Sequence, residues 1–121
     1  MHKFEKLVAW QKSLVLIQSI YLLCVKLPSN ERGNIIDQIK RASLSVSLNI
    51  AEGSGSENDK EFNRFLYIAR KSLFEVIAIL KIINYLYKIN IDKQTILTDE
   101  VGKLINGLIN KLKNDSDKAN S

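Results

Sequence analysis

The stretch that decides the fold covers residues 38–53 and reads QIKRASLSVSLNIAEG. Four of its polar residues are spaced by four, four and three positions, which places them on one face of a helix. These residues are Arg41, Ser45, Asn49 and Glu52. Apolar Val46 and Ile50 lie beside them, and burying a polar group without a partner is costly. We therefore predict a helix whose polar face pairs with a second element.

Outward from this stretch, helical periodicity continues through the chain and no strand-like alternation appears. The sequence predicts four helices, over residues 5–26, about 31–52, about 58–88 and about 92–113. Pro28, the segment 53–55 and the turn at 90–92 separate them. Short connections favour antiparallel neighbours. The predicted fold is therefore all-α, an antiparallel up-down-up-down four-helix bundle.

The domain organisation follows from length and from the polar C-terminal segment. With 121 residues the chain has the size of one domain with a modest core. We predict a single four-helix bundle domain over residues 1–113 and a frayed C-terminal tail over residues 114–121.

The first predicted helix is apolar on two sides. We assign one side to the core and the other to a subunit interface, because no helix of a four-helix protein is surrounded. The predicted core stripe contains Leu7, Leu14, Tyr21 and Val25, with Val8, Val15 and Leu22 beside them. The predicted interface side contains Trp10, Ile17, Ile20 and Cys24.

The central stretch resembles the motif of the 23S rRNA intervening-sequence protein family, in the form Arg41-Ala42-x-x-Ser45-Val46-x-x-Asn49-Ile50-Ala51-Glu52-Gly53. Three further segments are similar to the family's pattern: Phe4-x-x-Leu7-x-x-Trp10-Gln11, Leu27-Pro28-x-x-Glu31 and Glu61-x-x-x-Phe65-Leu66-x-Ile68-Ala69-x-x-Ser72-x-x-Glu75. The resemblance implies an antiparallel four-helix bundle and assembly as a ring-like homopentamer. A related branch contains the accessory protein of diversity-generating retroelements, so the resemblance also implies a nucleic-acid context. This inference is by association, because fold alone does not specify function.

One group of polar residues has two interpretations. The group is Arg41, Ser45, Asn49, Glu52, Ser72 and Glu75. As an active site, its carboxylates would perform acid–base chemistry and Arg41 would hold a phosphate. As a structural network, it would join the second and third helices and extend across a subunit boundary. We favour the structural network, because buried charges must be paired.

The sequence lacks the residues that other catalytic sites and metal-binding sites require. The only histidine is His2, so the Glu-x-x-His ligand sets of metal-binding bundles are missing. Cys24 has no histidine base in a helical region, and as the only cysteine it forms no intrachain disulfide. We predict a protein that is not an enzyme, with no catalytic residue, metal or cofactor. The lone thiol and the charged N-terminus favour the cytoplasm, and no segment predicts membrane insertion.

The charge balance is mildly basic, with 18 Lys and Arg against 13 Asp and Glu and a net charge of +5. Such an excess is compatible with nucleic acid as a partner, and equally with an ordinary solvated face. A pentamer would carry five times this charge. The candidate nucleic-acid-binding residues are Lys3, Lys6, Lys12, Lys60, Arg64, Lys71, Lys81 and Lys88. The sequence shows no aromatic stacking platform, so we expect contacts to the phosphate backbone with weak sequence specificity.

The sequence leaves two classes of function open, and they differ in the partner that the protein binds. The first is a non-enzymatic homo-oligomer, with a pentamer favoured, that binds RNA or DNA through basic surfaces built by assembly. The second is an interaction scaffold whose apolar outer faces recruit a partner protein.

Overall fold

The computed structural model describes the backbone of residues 1–120 and the side chains of residues 1–118. It contains four α-helices: α1 (Val8–Cys24), α2 (Ile35–Ser54), α3 (Asp59–Tyr87) and α4 (Asp92–Asn120). Short 3-10 turns, Lys3–Lys6 and Ser29–Glu31, precede α1 and α2. No strand occurs within the described backbone, which confirms the all-α prediction.

Local chemistry explains where α2 and α3 begin and end. Gly33 has a φ of +75°, a left-handed conformation that interrupts helical geometry and delays α2 to Ile35. At the start of α3, the Asn58 side-chain oxygen accepts a hydrogen bond of 2.9 Å from the Glu61 N–H. At its end, Lys88 adopts the left-handed region with a φ of 55°.

The fourth helix is longer than predicted. The sequence places its end near residue 113, whereas α4 continues to Asn120. Residues 114–118 are polar but contain neither proline nor glycine, so nothing in their chemistry stops a helix. Ser121, the last residue of the predicted tail, lies outside the described residues.

The helices form a closed square in which each packs on two neighbours, in the order α1, α2, α3, α4 and back to α1. Along α2 and α3, Glu31 just before α2 bonds to Tyr87, and Ser45 bonds to Ser72. Residues that come later along α2 thus contact residues that come earlier along α3, so the two helices are antiparallel. Bonds from Ser19 to Gln94 and from Lys12 to Glu100 show the same for α1 and α4.

The core runs along the axis between the four helices. Its members share complete or nearly complete burial and aliphatic side chains. The largest of them are Leu16, Ile20, Ile39, Val46, Ile50, Leu66, Val76, Leu80, Ile83, Val101 and Ile105. Every helix contributes to this set, so the four helices share one core.

The structure reverses the predicted faces of α1. Ile20 and Cys24, assigned to a subunit interface, lie in the core, whereas Leu22 and Val25, assigned to the core, are exposed. Small residues decide this orientation: Ala9, Ser13 and Ser19 are buried on the core side and let α1 approach its neighbours. The outward face of α1 is therefore a different apolar surface from the one predicted.

Gly53 lies inside the contact between α2 and α3 and does not cap a helix. A Cβ atom there would stand 2.8 Å from Phe65 Cβ and 3.2 Å from the Phe62 carbonyl oxygen. α2 continues one residue beyond it to Ser54. The absence of a side chain thus sets how closely the end of α2 approaches the start of α3.

Among the described residues, no helix combines the length and apolarity that are needed to cross a membrane.

Candidate nucleic-acid interface

A polar seam of Ser45, Asn49 and Ser72 joins α2 to α3. The Oγ atoms of Ser45 and Ser72 lie 2.8 Å apart and share a hydrogen bond. The Asn49 side-chain amide donates to the Ser45 carbonyl oxygen at 2.8 Å and to its Oγ at 3.1 Å. All three residues are half-buried. The structure therefore brings together three of the six residues of the predicted network.

The other three residues of that network, Arg41, Glu52 and Glu75, are exposed. None of them has an ion pair or hydrogen bond to a described residue, so the prediction that they pair within the chain is wrong. Helix geometry gives the reason: at about 100° per residue, Arg41 and Glu52 turn from Ser45 toward solvent, and Asn49 turns toward the interior. Their pairing across a subunit boundary stays a prediction.

These charges surround exposed aliphatic side chains on the same surface. We define the α2–α3 patch as Leu44, Leu48 and Ile68 with the charged residues Arg41, Glu52 and Glu75 around them. The polar seam lies beneath it. Exposed aliphatic groups within a mixed-charge rim have the composition of an interaction surface.

Two of the candidate cations are already paired with carboxylates. Arg64 donates two hydrogen bonds to Glu61 Oε1, at 2.7 and 3.1 Å. This bonding lowers the pKa of the Glu61 carboxyl and raises the pKa of Arg64. Lys12 Nζ lies 3.5 Å from Glu100 Oε2. Their charges are therefore partly compensated before any ligand arrives.

The other six candidate cations have no carboxylate within 4 Å among the described residues. Lys3 and Lys6 lie on the turn before α1, and Lys60, Lys71, Lys81 and Lys88 follow α3. All six are exposed. The α3 residues thus form the longer of the two basic stretches, and the N-terminal lysines stand apart from them.

The structure adds basic residues that the sequence did not single out. Lys6 shares a shallow cavity between α1 and α4 with Lys103 and Lys111. Lys113 and Arg70 lie in the groove between α3 and α4. The sequence gives the spacing of three lysines along α4, Lys103, Lys111 and Lys113. It does not show that they lie beside the predicted cations, because this depends on the packing of α4 against α3 and α1.

The groove between α3 and α4, here the α3–α4 groove, contains two hollows of about 590 and 240 Å³. Lys60, Arg64, Tyr67 and Lys113 line the larger hollow. Arg70, Phe74, Asp99 and Lys103 line the smaller one, where Arg70 bonds to Asn106 Oδ1 at 3.0 Å.

The aromatic ring in the larger hollow lies among cations. Arg70 Cζ lies 4.7 Å and Lys113 Nζ 5.4 Å from the centre of the Tyr67 ring. These contacts hold two cations at the groove without neutralising them, unlike a carboxylate. Glu61 and Asp117 also line this hollow, so its three cations outnumber its carboxylates by one.

Two observations bear on metal binding and on the reactivity of Cys24. No three His, Cys, Asp or Glu side chains among them lie together in a metal-binding arrangement. Burial raises the pKa of the Cys24 thiol, against a smaller opposing effect of Lys40, and so disfavours the reactive thiolate.

A search among individually curated proteins found no match at the significance required. The sequence profile of the family described as 23S rRNA-intervening sequence protein matches residues 5–110, from the turn before α1 into the second half of α4. Because this match spans most of the chain and includes all four helices, the protein belongs to the 23S rRNA-intervening sequence protein family.

Proposed function

We propose that this protein is a non-enzymatic homo-oligomer that binds RNA or DNA through basic surfaces, with weak sequence specificity. The observation that carries the proposal is the convergence of cations from two helices on the α3–α4 groove. Buried, free Cys24 supports a reducing compartment, and we place the protein in the cytoplasm.

The chemistry of the cations indicates how nucleic acid would be held. Lysine and arginine contact phosphate oxygens, which every nucleotide carries, so such contacts fix position without reading bases. Phosphate contacts release counterions, so affinity falls steeply with salt. We expect binding that is strong at low salt and tolerant of sequence.

Assembly into an oligomer would strengthen the positive electrostatic field around the protein. A ring requires two different patches on each subunit, because its contacts are head-to-tail. The chain offers two: the outward face of α1, and the α2–α3 patch. A pentamer of chains that each carry +5 would carry +25, enough to attract a polyanion over a long range.

Absolute mass by light scattering tests both parts of the proposal. We expect a pentamer that gains mass with a mixed RNA pool at low salt and loses this gain at moderate salt. A monomer whose mass does not change with RNA would contradict both the ring and the nucleic-acid function.

Charge reversal on α3 should weaken nucleic-acid binding without unfolding the protein. The double variant Lys71→Glu/Lys81→Glu changes two exposed cations that lack a carboxylate partner among the described residues. Loss of two phosphate contacts lowers the magnitude of the salt slope for a single strand by about 1.4, and repulsion adds to the loss. Fluorescence anisotropy with a labelled oligonucleotide at several salt concentrations measures the effect.

The matched control is Lys26→Glu/Lys93→Glu, which has the same net charge but changes a groove between α1 and α4. If both double variants lose affinity equally, the total charge matters and the α3 position does not. Undiminished, salt-dependent binding by the α3 variant would exclude Lys71 and Lys81 from the site and leave the α3–α4 groove, which neither residue lines.

Arg41→Ala should leave the folded chain almost unchanged and weaken its assembly. Arg41 is exposed and without an intrachain partner among the described residues, so its loss changes the stability of one chain by less than about 0.5 kcal/mol. In an assembly, its partner would be left as a buried, unpaired charge, which is strongly destabilising. Melting of dilute protein and mass at high concentration separate the two effects; an unchanged mass would remove Arg41 from the interface.

A second candidate function rests on the outward face of α1. Between Val8 and Val25 the only charged residue is Lys12, and exposed Leu22 and Tyr21 lie on the outer side. Such a face suits a scaffold that recruits a partner protein. Salt-insensitive capture of one defined protein by a chain that stays monomeric would favour this function over nucleic-acid binding.

A further inference from the structure

The outer side of α3 carries exposed aromatic rings between its lysines. Phe74 is 64 % exposed and Tyr85 is 75 % exposed, although the sequence indicated no aromatic stacking platform. Large aromatic side chains normally bury their surface. Two such rings on one helix therefore form a candidate binding surface.

Helix geometry aligns these rings with the basic residues of α3. Tyr67, Lys71, Phe74, Lys81 and Tyr85 are separated by four, three, seven and four positions, which are the intervals of one helical face. We call this set, with Lys88 at its end, the α3 stripe. It is about 27 Å long between Tyr67 and Tyr85. Ala78, which lies between Phe74 and Lys81 in the sequence, is exposed.

We infer that the α3 stripe binds single-stranded nucleic acid, with unpaired bases stacked on Phe74 and Tyr85 and phosphates paired with the lysines between them. The inference rests on the proposed function and defines its ligand. Base stacking on aromatic side chains requires a free base face, which a duplex does not offer. Rings and cations alternate along one face, so the bases of a single strand stack on the rings while its phosphates pair with the cations.

The charge of the stripe favours this ligand over a second copy of the chain. Residues 67–88 contain four cations, Arg70, Lys71, Lys81 and Lys88, and one acid, Glu75, which leaves a charge of +3. Two such surfaces would repel when they meet face to face. A phosphate backbone instead neutralises them and releases counterions.

Lys88 ends the α3 stripe. It adopts a left-handed conformation with a φ of 55°, where glycine is the favoured residue, and its Nζ lies 5.2 Å from the centre of the Tyr85 ring. Lysine at this position costs backbone strain that glycine would avoid. This contact places a cation beside an exposed ring at the end of the stripe.

The test compares a single strand with a duplex. Fluorescence anisotropy is measured with a labelled oligouridylate of about 12 nucleotides, an oligothymidylate and a duplex of equal length, within the range of known single-strand sites. We expect both single strands to bind more tightly than the duplex. Phe74→Ala/Tyr85→Ala should weaken single-strand binding at least about tenfold with an unchanged salt slope, because stacking is lost and phosphate contacts stay.

Three variants keep the result interpretable. Phe74→Leu/Tyr85→Leu retains apolar side chains without rings and should lose the same affinity. Ile96→Ala removes an exposed apolar group on α4 and should bind normally. Lys88→Gly removes a cation while relieving backbone strain, so it should melt no lower than the wild type and still bind more weakly.

Each other outcome overturns the inference. Equal binding of duplex and single strand, or full binding by the ring variants, would leave the proposed function intact and remove the stacking site. A fall in mass of the ring variants would assign Phe74 and Tyr85 to a subunit contact. Absence of salt-dependent binding to any of the three probes would refute the inference and the proposed function together.

Discussion

Gly53→Ala is expected to destabilise the protein by about 1–2 kcal/mol, although alanine is the better helix former. A Cβ atom at this position would lie 2.8 Å from Phe65 Cβ and 2.9 Å from Phe62 Cδ1, with the Phe62 carbonyl oxygen at 3.2 Å. Overpacking of this kind costs about 1–3 kcal/mol, and the gain in helix propensity offsets about 1 kcal/mol at most. Urea unfolding followed by circular dichroism measures the difference.

Gly107→Ala is the matched control for Gly53→Ala, since it makes the same chemical change inside a helix. No atom lies within 4 Å of a Cβ built at Gly107, so this variant should gain about 0.5–1 kcal/mol. The difference between the two variants isolates the contact between α2 and α3. If Gly53→Ala is as stable as Gly107→Ala, the two helices do not approach as closely as the structure shows.

The four helices were predictable from sequence because their apolar residues follow a single period over long segments. The predicted boundary at Asn58 agrees with the structure to within one residue, because a capping side chain marks it. The start of α2 and the end of α4 were placed wrongly. Gly33 in a left-handed conformation delays α2, and the polar residues after Lys113 continue the helix without any apolar periodicity to indicate it.

The orientation of α1 was not predictable from periodicity, because both of its sides are apolar. A hydrophobic pattern identifies the core face only when the opposite face is polar. The deciding residues were small ones: buried Ala9, Ser13 and Ser19 mark the side on which neighbouring helices approach. The small size of these residues, and not their hydrophobicity, indicated which side of α1 faces the core.

The candidate site was predictable only in part, for a similar reason. Spacing along one helix was enough to place Lys71 and Lys81 on one side of α3. It did not reveal that Lys103 and Lys113 of α4 line the α3–α4 groove with Arg70 and Arg64 of α3, because this depends on how two helices pack. The exposure of Phe74 was equally hidden, since an aromatic residue in a helix normally belongs to the core.

Leu22→Glu/Val25→Glu is expected to reduce the assembly to single chains. Leu22 is 60 % exposed and Val25 is 82 % exposed on the outward face of α1, where no partner within the chain covers them. In a closed interface, two unpaired carboxylates cost at least about 4 kcal/mol, which weakens each subunit contact about a thousandfold. Light scattering over a range of protein concentrations measures the mass.

The control for this interface variant is Ile96→Glu, because Ile96 is 59 % exposed on α4, outside the outward face of α1. It adds a carboxylate to a similarly exposed aliphatic position and should leave the mass unchanged. Both variants should retain their helical signal, since none of the three residues belongs to the core. If Leu22→Glu/Val25→Glu keeps the full assembly, the α1 face is not the subunit contact. Its uncharged surface would then be open to a different protein, as the scaffold function requires.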